Sequence, residues 1–142
     1  MRALSFPDPN VWMALLVADH VHRPAAVAWW NQDQSEIIAF SRVTQITVLR
    51  LLTTSGVMNG QPLSMKAAWN AYDRLFEDAR VAWLPEPPDV EEHFRKHTAS
   101  RIASPKLWAD AYLLALAHQL DGTLVTFDRA LATRDPRSLL LS

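Results

Sequence analysis

The chain has no cysteine, which excludes disulfide staples and thiolate metal sites and suits a reducing cytoplasm, the location expected here. Glycine is scarce, at 3 residues, and no Gly-x-Ser-x-Gly string exists, so nothing advertises a serine nucleophile. No run approaches the roughly 20 apolar residues of a membrane span. The opening Met1-Arg2-Ala3-Leu4-Ser5-Phe6-Pro7-Asp8 does not read as a signal peptide, because its apolar stretch is short and an acid and two prolines interrupt it by Pro9. An excess of charge of one sign is missing as well: the net charge is -1, so a nucleic-acid ligand would have to be steered by a local basic patch. Internal repeats, low-complexity tracts and long linkers are absent. What remains is 142 residues with 49% hydrophobic content, six Trp and five Phe, enough for one domain over residues 1–142 with a core of its own.

Short β-like runs alternate with longer helical patterns, which predicts an α/β fold with a mainly parallel sheet. The expected strands lie at roughly 2–6, 36–40, 81–84, 123–127 and 139–141. Helices are expected from Asn10 to about Ala18, from His22 through Trp30, after the cap Ser41, after the cap Ser64, from about Val90 to Ala99 and from Lys106 to Leu120, where Asp121-Gly122 ends the last.

Against this frame three aspartates stand out. Asp8 and Asp128 each follow a β-like run, and Asp110 opens the most apolar helix. Ends of strands and starts of helices are where α/β folds place functional side chains. Singly, each is most simply a cap or turn residue. Gathered together, they would repel unless a cation sat among them, and hard oxygen donors suit Mg²⁺ or Mn²⁺.

The strings around these acids carry a resemblance. Phe6-Pro7-Asp8-Pro9-Asn10-Val11-Trp12-Met13-Ala14-Leu15-Leu16 resembles the opening motif of PIN domains, Asp110-Ala111-Tyr112-Leu113-Leu114-Ala115-Leu116-Ala117 their third-acid helix, and Leu124-Val125-Thr126-Phe127-Asp128-Arg129 their fourth-acid strand end. With Val48-Leu49-Arg50-Leu51-Leu52-Thr53 and His20-Val21-His22 the likeness covers nearly the whole chain, and it is most similar to VapC-type toxins of bacterial toxin–antitoxin pairs. It implies a central, mainly parallel sheet flanked by helices, and a Mg²⁺- or Mn²⁺-dependent endoribonuclease acting on structured RNA such as tRNA or rRNA. It further implies inhibition by a small cognate VapB-type antitoxin, and a homodimer. Asp8, Asp110 and Asp128 correspond to family acids that hold metal or its bound water, and Asn10 and Thr126 to positions that support them by hydrogen bonding. One departure matters: Thr47 stands where the family commonly has a Glu, with Gln45 nearby as a neutral oxygen donor. Ala130 also replaces a further acid that is frequent in the family.

Cleaving a phosphodiester requires an activated oxygen nucleophile and neutralisation of charge in the transition state, which a cation held by Asp8, Asp110 and Asp128 would supply. Arg42, Arg50, Lys106 and Arg129 flank the motif strings and are the candidate phosphate contacts. Thr47 keeps a second reading open, a catalytically weakened domain that binds RNA or protein without cutting. A receiver-type phosphoacceptor fits less well, because Asp8 has no acidic neighbour in sequence. His93 and His97 sit one helical turn apart but in a highly charged segment, so a solvated helix face is expected, with His118 at the core edge. Adjacent Trp29 and Trp30 point about 100° apart on a helix, which leaves one of them a candidate for an exposed apolar patch.

Overall fold

The structure, a computed structural model, describes residues 3–142. Five strands form one sheet in the order β3-β2-β1-β4-β5: β1 (Leu4–Pro7), β2 (Ile37–Phe40), β3 (Val81–Trp83), β4 (Thr123–Thr126) and β5 (Leu139–Leu140). Every pairing is parallel. Parallel strands need long crossovers, and the intervening helices supply them. These are α1 (Pro9–Leu16), α2 (Arg23–Gln32), α3 (Arg42–Leu52), α4 (Met65–Leu75), α5 (Val90–His97), α6 (Leu107–Gln119) and the short α7 (Arg129–Ala132).

Helices cover both faces, so the central strands are apolar throughout rather than alternating. On one side Trp12, Val48 and Leu52 of α1 and α3 close on Ile38 and Phe40, with Trp12 stacked on Phe40 at 4.0 Å between ring centroids. On the other, Leu113, Leu114 and Leu116 of α6 lie against Phe6 and Leu124. The turn into β4 is set by this packing. Asp121 takes the left-handed conformation (φ 54°), while a Cβ on Gly122 would stand 2.5 Å from the Phe6 ring. Gly122 is thus required by close approach, and the αL role expected of a terminal glycine falls to Asp121.

Expected and observed elements agree closely, with α1 ending earlier, at Leu16, and α7 unanticipated. Of the first expected strand, Arg2 lies outside the described residues. Trp29 and Trp30 correct the expectation of an exposed patch. Trp29 is buried, and Trp30 lies edge-on to Trp12 with the Arg80 guanidinium 4.7 Å above its ring. Trp69, Trp83 and Trp108 are exposed instead. Among the described residues no helix is long and apolar enough to cross a membrane.

Because all strands run the same way, their C-terminal ends share one edge. Asp8, Ser41 and Asp128 emerge there as the N-caps of α1, α3 and α7, accepting from the backbone N–H groups of Val11, Thr44 and Leu131.

Candidate active site

Capping explains why an Asp is tolerated at each strand end; it does not explain how deeply Asp8 is buried. Asp8 is 4% exposed. Its Oδ1 accepts the Val11 N–H at 3.1 Å and its Oδ2 accepts the Thr126 hydroxyl. Burial pushes its pKa up to about 6, against the pull of the Thr126 and Val11 hydrogen bonds, and the nearby charge of Asp110 adds to the rise. Thr126, wholly buried at the end of β4, also accepts the Asp128 N–H at 2.9 Å. One hydroxyl therefore ties the two strand-end acids together. Asp128 is exposed, with its Oδ1 on the Leu131 N–H at 3.1 Å.

Asp110 arrives from the first turn of α6. Burial raises its pKa, the charge of Asp128 raises it further, and Arg134 opposes both. Asp8 thus senses Asp110, and Asp110 senses Asp128, although the three come from segments far apart in sequence. Asp110 and Asp128 line a cleft of about 150 Å³ with Ser104, Lys106 and Arg134, while Asp8 lies deeper.

Among the described residues no three His, Asp or Glu side chains are placed to grip one metal ion directly. That still fits Mg²⁺, which commonly takes one or two carboxylates and keeps several waters. The donor chemistry agrees: all oxygen and net negative, with the pKa values of Asp8 and Asp110 raised by burial and, less, by neighbouring carboxylate charge. Asp110 and Asp128, which line the cleft, would be the direct ligands of such an ion, and Asp8, which is buried and does not line it, would contribute charge.

The other expected site residues divide. Lys106 reaches the cleft, one helical turn before Asp110. Arg129 opens α7 at the same edge and is exposed. Arg42 starts α3 there, with its guanidinium over the Trp83 ring. Arg50 lies at the far end of α3, about 12 Å along the helix, in an apolar groove with Ile46, Met65 and Trp69. Asn10 is exposed, and its backbone N–H, not its amide, acts on Asp8. Thr47 donates to the Val43 carbonyl of its own helix at 2.9 Å. The buried polar groups of α3 are instead Thr44 and Gln45, beside Ser41.

Sequence reasoning missed Arg134, which lines the cleft while its guanidinium donates to the His97 carbonyl at 3.0 Å. It lies in a polar turn after α7 with no local signal. The histidines depart from expectation too: His118 contacts His93 at 4.5 Å and His97 at 6.5 Å between ring centroids, so they meet across α5 and α6.

Residues 5–135 match the family model of the PIN domain. The chain belongs to the PIN domain family. It is 38% identical over 128 residues to ribonuclease VapC41 of Mycobacterium tuberculosis, covering 87% of this chain and 88% of that one. The crystal structure of M. tuberculosis VapC20, a sarcin-ricin loop cleaving toxin, superposes with a TM-score of 0.70 at 17% identity, over 97% of this chain and 99% of that one. The structure of VapBC-1 from nontypeable Haemophilus influenzae gives 0.62 at 16% identity, over 96% of each chain. The two superpositions show likeness of fold, and in this PIN domain that fold sets Asp8 and Asp128 as helix caps at one edge of the sheet.

Proposed function

We propose that this PIN domain is a Mg²⁺- or Mn²⁺-dependent endoribonuclease, the toxin of a VapBC-type pair, acting on structured RNA such as tRNA or rRNA in the cytoplasm. The observation that carries the reading is the convergence of Asp8, Asp110 and Asp128 at the edge where strand ends meet, where burial and like charge raise the proton affinity of Asp8 and Asp110. Perturbed carboxylates in a cleft are expected where a site is built to hold a cation and not merely to cap helices. The relative named a ribonuclease and the solved toxin of the same fold support the reading. The VapBC-1 likeness supports a small VapB-type antitoxin as partner. A homodimer belongs to the same proposal, as does the treatment of residues 1–142 as one PIN domain.

Each residue has a distinct task in this reading. Asp110 and Asp128 would hold the cation, which when bound acidifies water and neutralises phosphate charge. Asp8 adds negative charge behind them, and Thr126 fixes the spacing of Asp8 and Asp128 through its two hydrogen bonds. Lys106 and Arg134 line the same cleft, where their charges would receive phosphate oxygens. The chain itself provides the positioning, and no covalent intermediate on a side chain is required.

The test is end-mapping of total bacterial RNA incubated with purified protein and Mg²⁺ or Mn²⁺, beside Asp128→Asn and a chelator. Discrete new ends that vanish in both controls are expected. A second reading, a binding domain that does not cut, is favoured by Thr47, whose hydroxyl is spent on Val43. It takes over if folded wild-type protein matches Asp128→Asn on RNA from the source organism.

A further inference from the structure

One aromatic side chain on the acidic edge has no part in the site so far. Trp83 is the last residue of β3, in register with Phe40, the last residue of β2. Phe40 turns directly into the Ser41 cap and Arg42, so the start of α3 delivers a cation to the end of the neighbouring strand. The Arg42 guanidinium lies 4.6 Å from the Trp83 ring centroid. It is aimed by its own hydrogen bond to the buried Gln45 Oε1, at 2.6 Å. The indole is nevertheless 37% exposed. An indole held against a guanidinium, with the rest of its surface in water, stands two strand spacings from β1, about 10 Å, on the edge where Asp8 emerges.

Other exposed tryptophans lack this combination. Trp69 lines the groove between α3 and α4 and sits edge-on to Tyr72. Trp108 is edge-on to Phe94 at 6.1 Å. At Trp83 a fixed aromatic face, a cation and the edge bearing the acids coincide, and Trp12 and Trp29 show that burial is available to tryptophan in this fold.

Resting on the nuclease reading above, we propose that Trp83, flanked by Arg42, is a base-stacking subsite that holds an unpaired nucleobase of the RNA substrate close to the phosphate being cut. Every base has a π-face, so stacking on indole tolerates sequence and selects for unpaired nucleotides, which are available in loops and not in helices. Arg42 contributes twice, by fixing the ring and by placing positive charge beside the strand that carries the base. The subsite would thus direct a structure-reading enzyme to single-stranded loops without demanding one particular base.

The experiment is fluorescence anisotropy in chelator, so that nothing is cleaved, with two probes of equal length, about 12 nucleotides: labelled oligoadenylate and a labelled abasic ribose-phosphate strand. Trp83→Ala should weaken oligoadenylate binding about 10-fold or more and leave the abasic strand within about twofold. Trp83→Phe should keep most of the oligoadenylate affinity. Equal loss on both probes, or no loss on oligoadenylate, overturns the subsite. If Trp83→Ala does not fold, Trp83→Leu against Trp83→Phe shows the same gap, because leucine fills space without a π-face. Wild-type protein that fails to cut total RNA sinks the nuclease reading, whereas a cutting protein with no base-dependent gap sinks only the subsite.

Discussion

The two edges of the sheet treat carboxylates in opposite ways. At the N-terminal edge, acids meet arginines. Arg80, just before β3, binds Asp78 at 2.8 Å and also donates to the carbonyls of Trp30 and Asp33 at 3.0 Å. Arg137, before β5, binds Asp121 at 2.8 Å, at the entry to β4. Hydrogen bonding to Arg80 holds the Asp78 pKa below its ordinary value. At the C-terminal edge acids meet one another: among the described residues Asp8, Asp110 and Asp128 form no ion pair, and Asp8 and Asp110 are shifted upward. One edge is neutralised internally and holds the fold. The other gathers carboxylates with no direct ion pair among the described residues, the arrangement that the proposed cation would compensate.

Substitution should separate these roles. Asp128→Asn is expected to lower RNA cleavage about 10³-fold, the scale of losing one electrostatic group from a preorganised site, with little change in thermal midpoint because Asn still caps α7. Arg80→Ala should do the reverse. It loses two backbone carbonyl contacts and the Asp78 pair, about 2–3 kcal/mol by denaturant melt, with cleavage per folded molecule unchanged. If Arg80→Ala abolished cleavage in a folded sample, the division between edges would fail.

A smaller effect probes the buried charge itself. The folded pKa of Asp8 lies at about 6, above its model-compound value of 3.8. The folded state therefore holds this proton more tightly than the unfolded chain. The associated stability is fully present below about 3.8 and is lost as pH rises through about 6. Asp78 has the opposite sign: its contribution is present above 3.8 and lost as pH falls. Asp8→Asn should accordingly stabilise the metal-free protein at pH 8 by about 1–2 kcal/mol, an upper figure because the Thr126 hydroxyl loses its acceptor. Mg²⁺ or Mn²⁺ should raise the wild-type midpoint by a few degrees at pH 8, with the gain fading below pH 6 and absent in Asp110→Asn. A metal-induced rise of equal size at pH 5 would contradict the assignment.

Much of this contrast was legible in the sequence. The apolar runs Leu124-Val125-Thr126-Phe127 and Leu113-Leu114-Ala115-Leu116 fixed β4 and α6, and with them Asp128 and Asp110. Pairwise geometry was not legible. Thr47 drew attention by its position in a motif, yet Ser41, Thr44 and Gln45 are the buried polar groups, because the start of α3 and not its middle faces the edge. Trp30 looked exposable from helical angles, but its cover, Arg80, comes 50 residues later. Arg134 had no periodicity or motif to mark it, since a turn residue acquires its neighbours only when α5, α6 and α7 converge.

Arg134 also gives the gentlest test of the comparison, because it is the arginine of the acidic edge whose charge acts on Asp110. Its guanidinium is anchored on the His97 carbonyl and makes no ion pair with Asp110, though it lowers that acid's pKa from across the cleft. A cation held at a distance moderates the carboxylates without occupying their oxygens, and leaves its remaining donors free for a phosphate. Arg134→Ala should therefore raise KM about 5-fold with kcat nearly unchanged, the pattern of lost uniform binding. Asp110, losing that cation, should hold its proton to higher pH, so the acid limb of the cleavage profile moves upward. Arg134→Lys should restore the limb and only part of the KM. A fall in kcat with KM unchanged would instead place Arg134 in the chemistry, and the acidic edge would then resemble the opposite one more closely than the structure suggests.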